Sequence, residues 1–391
     1  MSSQIKSQNR AVFLAAGGTG GHVFPALHTA GALKVRGFDV SIITDKRGLS
    51  LLPENMHRKT IYAASPFAGS LTGRILALAK LSMGFLQVFI LLLRQRPLAV
   101  IGYGGYPAAS PTLAAWLLRI PVWLHEQNAV MGRTNQLMSK LVRGIFISWP
   151  NTIGLPAAAR HVYTGLPVAA AFSRLRSYED KKETKQLHLA VFGGSIGAIL
   201  FANILPQAIA RLPESLKSVI RITQQAQTDQ IDALQSTYAT QNIDADIRPF
   251  FTDVAGIMET ADLVICRSGA STVAELAAAG RPSVLIPFAH ALDGHQLANA
   301  RQLADIDAAE IMQEEDLTAD QLAAKIADLL SAPQKLIAQA NAAKTIACPD
   351  AAQKICRLIE THLGSNKKEA ACPPCLYPLA LFISPVSVGS A

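Results

Sequence analysis

The chain has 391 residues, 50% of them hydrophobic and 16% charged, so it is long enough for two domains with buried cores. Its five cysteines are mostly scattered, which argues against a disulfide-stapled secreted scaffold and favours a reducing compartment. The net charge of +8 is uneven, since residues 1–164 carry +13 and the remainder carries −5. A basic half favours an anionic partner, but no nucleic-acid-binding motif accompanies the charge, so we predict no nucleic-acid partner.

In the first half, short apolar runs alternate with helical stretches, as in parallel β-α-β units. A first helix is predicted over residues 25–36. The predicted strands cover residues 12–15, 40–44, 99–101, 122–124 and 144–148. Glycine-rich or polar segments follow several of these strands, where parallel sheets bind ligands.

The second half repeats this pattern after a connector at 165–168 and a charged segment at 173–186. Its strands are predicted at 189–192, 219–223, 247–251, 263–266 and 283–287. We therefore predict an α/β fold of two Rossmann-like domains with a deep cleft between them. The predicted boundaries are a first domain at 1–165, a second at 166–345, a helix at 346–364 that packs back on the first domain, and a disordered tail at 365–391.

Two glycine-rich turns, beginning at Gly17 and Gly193, lie about half a chain apart, and each precedes a predicted helix. Glycine lets backbone N–H groups approach an anion, and a helix N-terminus favours negative charge. The first turn partly fits a dinucleotide fingerprint, with Asp45 where a ribose-binding acid is expected. Val23 takes the place of the third glycine, so dinucleotide binding stays open only as an alternative.

Several polar side chains are candidates for chemistry in the first half. His22 follows the first turn and is suited to general-base catalysis, the alternative being a helix-capping role. His125, Glu126, Gln127 and Asn128 follow a predicted strand, where they would bind a ligand or satisfy one another in a turn.

In the second half, the segment CRSGASTVAE places a strand end before a helix that begins near Ala270. The helix start, with the Ser271 and Thr272 hydroxyls, would hold a diphosphate, and Glu275 would accept the hydroxyls of a ribose. Gln296 follows the next strand and is suited to sugar hydroxyls. We predict no metal and no cofactor, because the CxxC pair Cys372 and Cys375 lacks further ligands.

The most lipophilic stretch of the chain covers residues 71–93 and includes Arg74 and Lys80. Its uncharged part, 81–93, is short for a bilayer span. A buried core helix and a helix that dips into a membrane surface are both consistent with it.

Six motifs, in the order GGTGGHVFPAL, GYGGYPAASP, HEQN, FGGSIGA, CRSGASTVAELAAAGRP and DGHQLANA, resemble the MurG family of glycosyltransferases over residues 11–362. The resemblance implies the two-domain glycosyltransferase B fold. It also implies inverting transfer of N-acetylglucosamine (GlcNAc) from UDP-GlcNAc to lipid I, the undecaprenyl-diphosphate-MurNAc-pentapeptide of peptidoglycan synthesis. It places the enzyme peripherally on the cytoplasmic face of the bacterial inner membrane, with anionic lipids as partners of the basic half.

Residue roles follow from the same resemblance. His22 is expected to be the general base, with His125 and Glu126 as alternatives. Gly104, Gly105 and Tyr106 would bind the acceptor diphosphate. The residues expected to bind UDP-GlcNAc are Thr19, Gly20, Gly21, Asn128, Ser195, Phe251, Ala270, Ser271, Thr272, Glu275 and Gln296.

One position departs from the family pattern, because Ala169 stands where a donor-site arginine is usual; Arg174 or Arg267 would have to compensate. Three other functions remain open from the sequence alone. A UDP-GlcNAc 2-epimerase would not need a basic, lipophilic first domain, a glycosyltransferase of diacylglycerol would not need HEQN, and a non-catalytic binding protein would need no base.

Overall fold

The structure is a computed structural model that describes residues 10–64, 71–181 and 186–369, without the side chains of 71–75, 195–198, 292 and 364–369. Residues 370–391 of the predicted tail, with Cys372 and Cys375, lie outside these residues, as does the Arg74 side chain. The chain divides into two compact units. The first runs to Pro167 and resumes at Asp350, and the second covers Val168–Pro349.

The described part of the first unit contains one sheet of seven parallel strands. The strands are β1 (Ala11–Ala15), β2 (Asp39–Thr44), β3 (Arg58–Thr60), β4 (Ala99–Gly102), β5 (Val122–Glu126), β6 (Gly144–Ile147) and β7 (His161–Tyr163). Their order across the sheet is β3-β2-β1-β4-β5-β6-β7. The helices between them are α1 (Gly20–Val35), α2 (Lys46–Leu49), α3 (Leu71–Gln95), α4 (Tyr106–Leu117) and α5 (Arg133–Met138).

The second unit, as far as it is described, contains a parallel sheet of six strands. Its elements in chain order are α6 (Ala170–Ser173), β8 (Leu187–Phe192), α7 (Gly194–Ala210), α8 (Glu214–Lys217), β9 (Ile220–Gln225), α9 (Ile231–Thr240), β10 (Asp244–Arg248), α10 (Val254–Thr260), β11 (Leu263–Cys266), α11 (Ala270–Ala279), β12 (Ser283–Leu285), α12 (His295–Ala304), β13 (Ala309–Ile311), α13 (Ala319–Leu330) and α14 (Pro333–Thr345). The strand order is β10-β9-β8-β11-β12-β13.

A last helix, α15 (Ala351–Glu369), returns to the first unit and packs against α1. Ile355, Cys356 and Ile359 are fully buried there, in the core that also contains Val12 and Leu14 of β1. The helix runs five residues beyond the predicted end at 364.

In each sheet, the order in which the chain adds strands reverses at one point, and the glycine turn of that unit lies there. In the first sheet, β1 and β4 are neighbours, with Ala15 opposite Gly102. In the second, β8 and β11 are neighbours, with Phe192 opposite Cys266. Because ligands of open parallel sheets bind at the carboxyl ends of the strands at such a switch point, each unit offers one candidate half-site.

The structure also corrects the predicted bounds of α1, β5 and β10. Helix α1 begins at Gly20, so Pro25 lies inside it; proline leaves the carbonyl of Gly21 without an intrahelical partner, which exposed Gly21 can tolerate. Strand β5 continues through His125 and Glu126 rather than ending before them. Strand β10 ends at Arg248, so the strand predicted at 247–251 is shifted.

Candidate active site

The first glycine turn is held in place by Asp45, which directly follows β2. The buried Asp45 Oδ1 accepts hydrogen bonds from the backbone N–H groups of Gly18 and Gly48, each at 3.0 Å. A Cβ at Gly17 would lie 2.6 Å from the same oxygen, so the close approach requires glycine. Asp45 therefore shapes the turn through these hydrogen bonds. This role counts against the dinucleotide alternative, in which Asp45 would bind a ribose.

The loop after β4 is fixed to the same carboxylate. Tyr106 Oη donates to Asp45 Oδ2 at 3.0 Å, and burial together with the Asp45 charge raises the pKa of this phenol. Gly104 and Gly105 have φ values of +79° and +70°, a region that favours glycine. Asp45 therefore joins the first glycine turn to the loop that was predicted to bind the acceptor diphosphate.

We predict that Asp45→Ala destabilises the protein by about 1–3 kcal/mol, since two backbone N–H groups and the Tyr106 hydroxyl lose their acceptor. The measurement is the shift in the urea denaturation midpoint. Asp39→Ala is the matched control, because Asp39 lies at the exposed start of the same strand. Equal midpoints for the two variants would show that Asp45 does not hold the turn.

At the start of α1, the amides of His22 and Val23 donate to the carbonyl of Thr19, whereas the helix offers no acceptor to those of Gly20 and Gly21. Thr19 is the exposed N-cap, and its side chain makes no capping hydrogen bond. His22 lies on the first turn of the same helix, and its Nδ1 is 3.1 Å from Gln127 Oε1. The predicted donor contacts of the turn and the predicted base therefore share one short segment.

His125 and Glu126 are engaged within the first unit. Burial lowers the pKa of His125 to about 4, and its ring nitrogens contact the Gln127 side chain and the carbonyl of Gly165. The Glu126 carboxylate, also buried, accepts hydrogen bonds from the backbone of Asn128 and Gly132 and from side-chain amides. These contacts argue against both residues as the general base, because neither has a basic atom left for a substrate proton.

In the second unit, the residues predicted to bind the diphosphate and the ribose lie on the first turns of α11. Its N-cap, Gly269, provides no side-chain cap, and the buried Ser271 Oγ has no hydrogen-bond partner among the described residues. A buried hydroxyl without a partner is unfavourable, and a ligand oxygen would satisfy it. Ala270 is the first helical residue, and Thr272 and Glu275 are partly exposed on the same helix.

Among the described residues, no charged group offsets the desolvation of the Glu275 carboxyl, although the residue as a whole is partly exposed. Burial raises the pKa of its carboxyl to about 8, well above its usual range. A carboxylic acid in this state ionises more readily when hydroxyl groups donate hydrogen bonds to it, as the two ribose hydroxyls of a nucleotide would.

Gln296 lies on the first turn of α12, and one half of its side-chain amide, the oxygen, is already hydrogen-bonded within the protein. Its Oε1 accepts from the backbone N–H of Phe288 at 2.9 Å, so its NH₂ group remains as a donor for a sugar oxygen. Phe251 lies in the loop after β10, where its buried ring packs edge-on against Phe192. Ser195 lies on the first turn of α7, but its side chain is outside the described residues.

Arg267 is poorly placed to replace the arginine that is missing at Ala169. Its guanidinium is buried and forms a bidentate pair with Glu314, at 2.9 and 2.8 Å, while it also donates to the carbonyls of Ile286 and Pro287. Arg174 is exposed at the end of α6. The hydrogen bonds of the Arg267 guanidinium to Glu314 and to the two carbonyls count against Arg267 as the compensating arginine.

The sequence analysis missed the roles of Asp45, Gln127 and Glu314. Each acts through a partner distant in sequence, such as Gly18 for Asp45 and Arg267 for Glu314. One signal was present, since Asp45 and Gln127 follow the carboxyl ends of strands next to a glycine turn.

The comparisons with known proteins agree with this geometry. The glycosyltransferase family 28 N-terminal domain matches residues 12–147, and the glycosyltransferase family 28 C-terminal domain matches residues 188–355. A UDP-N-acetylglucosamine--N-acetylmuramyl-(pentapeptide) pyrophosphoryl-undecaprenol N-acetylglucosamine transferase of Rhodospirillum rubrum is 42% identical over 89% of this chain and 91% of its own. A protein of the same name from Methylorubrum extorquens is 43% identical over 89% of this chain and 96% of its own.

One solved structure supports the same family, and a second shows the fold alone. The crystal structure of Acinetobacter baumannii MurG aligns with a TM-score of 0.72 and 34% identity, covering 90% of this chain and 99% of that one. The spinosyn forosaminyltransferase SpnP shares the fold, with a TM-score of 0.64 and 14% identity over 90% of this chain and 100% of its own. The chain therefore belongs to glycosyltransferase family 28, with the glycosyltransferase B fold, and within it to the MurG family of N-acetylglucosamine transferases.

Proposed function

We propose that this protein transfers GlcNAc from UDP-GlcNAc to N-acetylmuramyl-(pentapeptide) pyrophosphoryl-undecaprenol, or lipid I, with inversion at the sugar carbon. The observation that carries the proposal is the position of the predicted groups at the switch points of both sheets. Relatives whose names state this activity support it, because they match the chain over almost their whole length.

In this proposal the second unit provides most of the donor contacts, and Thr19, Gly20, Gly21 and Asn128 of the first unit remain predicted contacts of UDP-GlcNAc. The α11 amides and the Ser271 hydroxyl bind the diphosphate, Glu275 accepts from the ribose, and the Gln296 amide donates to the GlcNAc. Phe251 and Ser195 remain predicted contacts of UDP-GlcNAc. Helix-start N–H groups stabilise the charge that develops on the departing diphosphate.

The first unit binds the acceptor and removes its proton. Gly104, Gly105 and Tyr106 line the loop proposed to bind the acceptor diphosphate. His22 takes the proton of the acceptor hydroxyl as this oxygen attacks the sugar carbon, and the bond to UDP breaks on the opposite face.

The first unit also carries a surface suited to a membrane. Within α3, the stretch Leu76–Gln95 is long and apolar enough to cross a bilayer by length and composition, which the 13-residue uncharged run in the sequence did not indicate. However, Val88 and Leu92 are fully buried in the core of the unit, and Gly84 packs against the backbone of Tyr62. A helix that gives one face to the domain core cannot be surrounded by lipid, so α3 is suited to lying on the membrane.

The outward face of α3 has an apolar stripe, which we define as Leu76, Met83, Leu86, Ile90 and Leu93. These side chains are 40–57% exposed, and their spacing of seven, three, four and three residues places them on one side of the helix. Exposed Lys80 and Arg94 lie along the edge of the stripe, where they would meet lipid phosphates. We propose that the stripe enters an anionic leaflet on the cytoplasmic side of the inner membrane.

Replacing Leu86 and Ile90 together by glutamate is predicted to lower binding to phosphatidylglycerol vesicles more than tenfold, because two apolar side chains worth about 1.5–3 kcal/mol each no longer enter the lipid. Vesicle co-sedimentation measures the effect. The matched control is Leu137→Glu, since Leu137 is 70% exposed on α5 of the same unit. Equal loss in both variants would contradict the stripe as the membrane surface.

The function itself is tested by incubating the protein with radiolabelled UDP-GlcNAc, with and without lipid I. The expected result is label on the lipid, formed only when lipid I is present. Isomerised sugar nucleotide would instead indicate an epimerase, and label on diacylglycerol would indicate a different lipid glycosyltransferase. Donor binding without any product would indicate a binding protein.

A further inference from the structure

His22, Gln127 and His125 form a chain of hydrogen bonds that ends on the backbone of the connector. His22 Nδ1 lies 3.1 Å from Gln127 Oε1, and Gln127 Nε2 lies 3.2 Å from His125 Nδ1. At the far end, His125 Nε2 lies 3.4 Å from the carbonyl oxygen of Gly165. The direction of each bond depends on which nitrogen carries the proton, and the surrounding contacts determine that.

The orientation of the Gln127 amide is fixed by a backbone carbonyl. Its Nε2 also donates to the carbonyl oxygen of His125 at 3.2 Å, and this oxygen can only accept. An exchange of the amide oxygen and nitrogen would place two acceptors against each other and is therefore excluded. Oε1 must then face His22 as an acceptor. Gln127 is buried, and its own carbonyl accepts from the indole of Trp149, which holds the residue in place.

His125 is neutral and completes the pattern. It is completely buried and stacks on the ring of Tyr103 at 5.2 Å between centroids. Burial lowers its pKa to about 4, so near neutral pH it has one N–H and one lone pair. The Gln127 N–H occupies the lone pair at Nδ1, and the N–H at Nε2 donates to the Gly165 carbonyl.

The orientation of the Gln127 amide also determines which ring nitrogen of His22 carries the proton. Because Gln127 Oε1 has no proton to give, His22 Nδ1 must donate, and neutral His22 then carries its lone pair on Nε2. That nitrogen points toward Gly105, where a Cβ would lie 3.4 Å away, so glycine leaves room beside it. The space lies at the loop proposed to bind the acceptor.

We propose that Gln127 is a positioning residue that holds His22 as the Nδ1–H tautomer and so presents a basic Nε2 to the acceptor hydroxyl. This inference rests on the proposed function, in which His22 is the base. When the acceptor proton moves to Nε2, the hydroxyl oxygen bonds to the sugar carbon and the electron pair of the broken bond leaves with UDP. The Nδ1–H bond to Gln127 persists in the imidazolium and stabilises its charge.

The test combines NMR of the full-length protein with kinetics. Two-bond ¹H–¹⁵N correlation spectra at about pH 8 report which ring nitrogen of each histidine is protonated, and His22→Gln identifies the His22 signals. The wild type is expected to show His22 protonated at Nδ1. Gln127→Met removes the acceptor, so the proton should move to Nε2 and kcat should fall about 10- to 100-fold, with an unchanged KM for UDP-GlcNAc.

Two further variants separate positioning from stability. Gln127→Glu keeps an acceptor oxygen toward His22 and is expected to retain the Nδ1–H tautomer. Gln136→Met is the matched control, because the Gln136 side chain donates to the Met131 carbonyl and contacts no histidine in the described part of the chain. Wild-type His22 protonated at Nε2, or an unchanged tautomer in Gln127→Met, would overturn the inference. The spectra need no substrate, so a wild type that shows the Nδ1–H tautomer but transfers no sugar would contradict the proposed function alone.

Discussion

His22→Ala is expected to lower kcat by about 10²- to 10⁴-fold, the range that a positioned general base contributes. The acceptor hydroxyl is a weak nucleophile until its proton has a base to accept it, and His22 Nε2 is proposed to supply that base. The KM for UDP-GlcNAc should change little, because the His22 imidazole is not among the proposed donor contacts, and Glu275, Ser271 and Gln296 belong to the second unit. Steady-state kinetics with both substrates varied separates these two effects.

His57→Ala is the control for removing an imidazole from the first unit. His57 is exposed just before β3, and its ring contacts only Asp39 among the described residues. The His57→Ala variant should retain the kcat of the wild type. A His22→Ala variant within about threefold of the wild-type kcat would show that another group, or solvent, accepts the proton.

Glu275→Gln is expected to raise the Kd for UDP-GlcNAc about 100-fold. Each hydrogen bond to a charged group contributes about 1.5–3 kcal/mol, and two weakened ribose contacts amount to about 3 kcal/mol. Isothermal titration calorimetry measures the change. Glu214→Gln, an exposed ion-paired glutamate on α8 of the same unit, is the control and should bind as the wild type does.

Because burial raises the pKa of Glu275 to about 8, the affinity for UDP-GlcNAc is predicted to depend on pH. Ribose hydroxyls favour the carboxylate, so wild-type affinity should increase from about pH 6 and level off above about pH 8, with proton release on binding. In the ligand-free protein, ionisation of the buried carboxyl opposes folding as pH rises, so Glu275→Gln should raise Tm at about pH 8 while it weakens binding. Affinity that does not vary with pH would contradict the ribose role.

The sequence predicted the central strands because parallel strands buried on both faces appear as apolar runs, as in β1 and β11. Strands β3 and β7 have the sequences RKT and HVY and were missed, since a short edge strand has no apolar run to reveal it. The start of α1 was placed too late because proline is common at the first position of a helix.

The candidate site could be located but not fully interpreted from the sequence. Glycine turns and strand ends identify where ligands bind, which placed His22 and Glu275 among the candidates. The partners of Asp45, Gln127 and Arg267 come from other strands and loops, and local patterns do not encode such pairings. For this reason the sequence left Arg267 open, beside Arg174, as the arginine that compensates at the donor, whereas Arg267 forms an ion pair with Glu314.

The position of α15 determines when the first unit can finish folding during synthesis. Ile355, Cys356 and Ile359 fill its core, but they are translated only after the whole of Val168–Pro349. At bacterial elongation rates of about 5–20 residues per second, this delay is about 10–40 s. Throughout that interval the nascent first unit exposes the apolar surface that α15 later covers, which makes it a substrate for chaperones that bind chains on the ribosome.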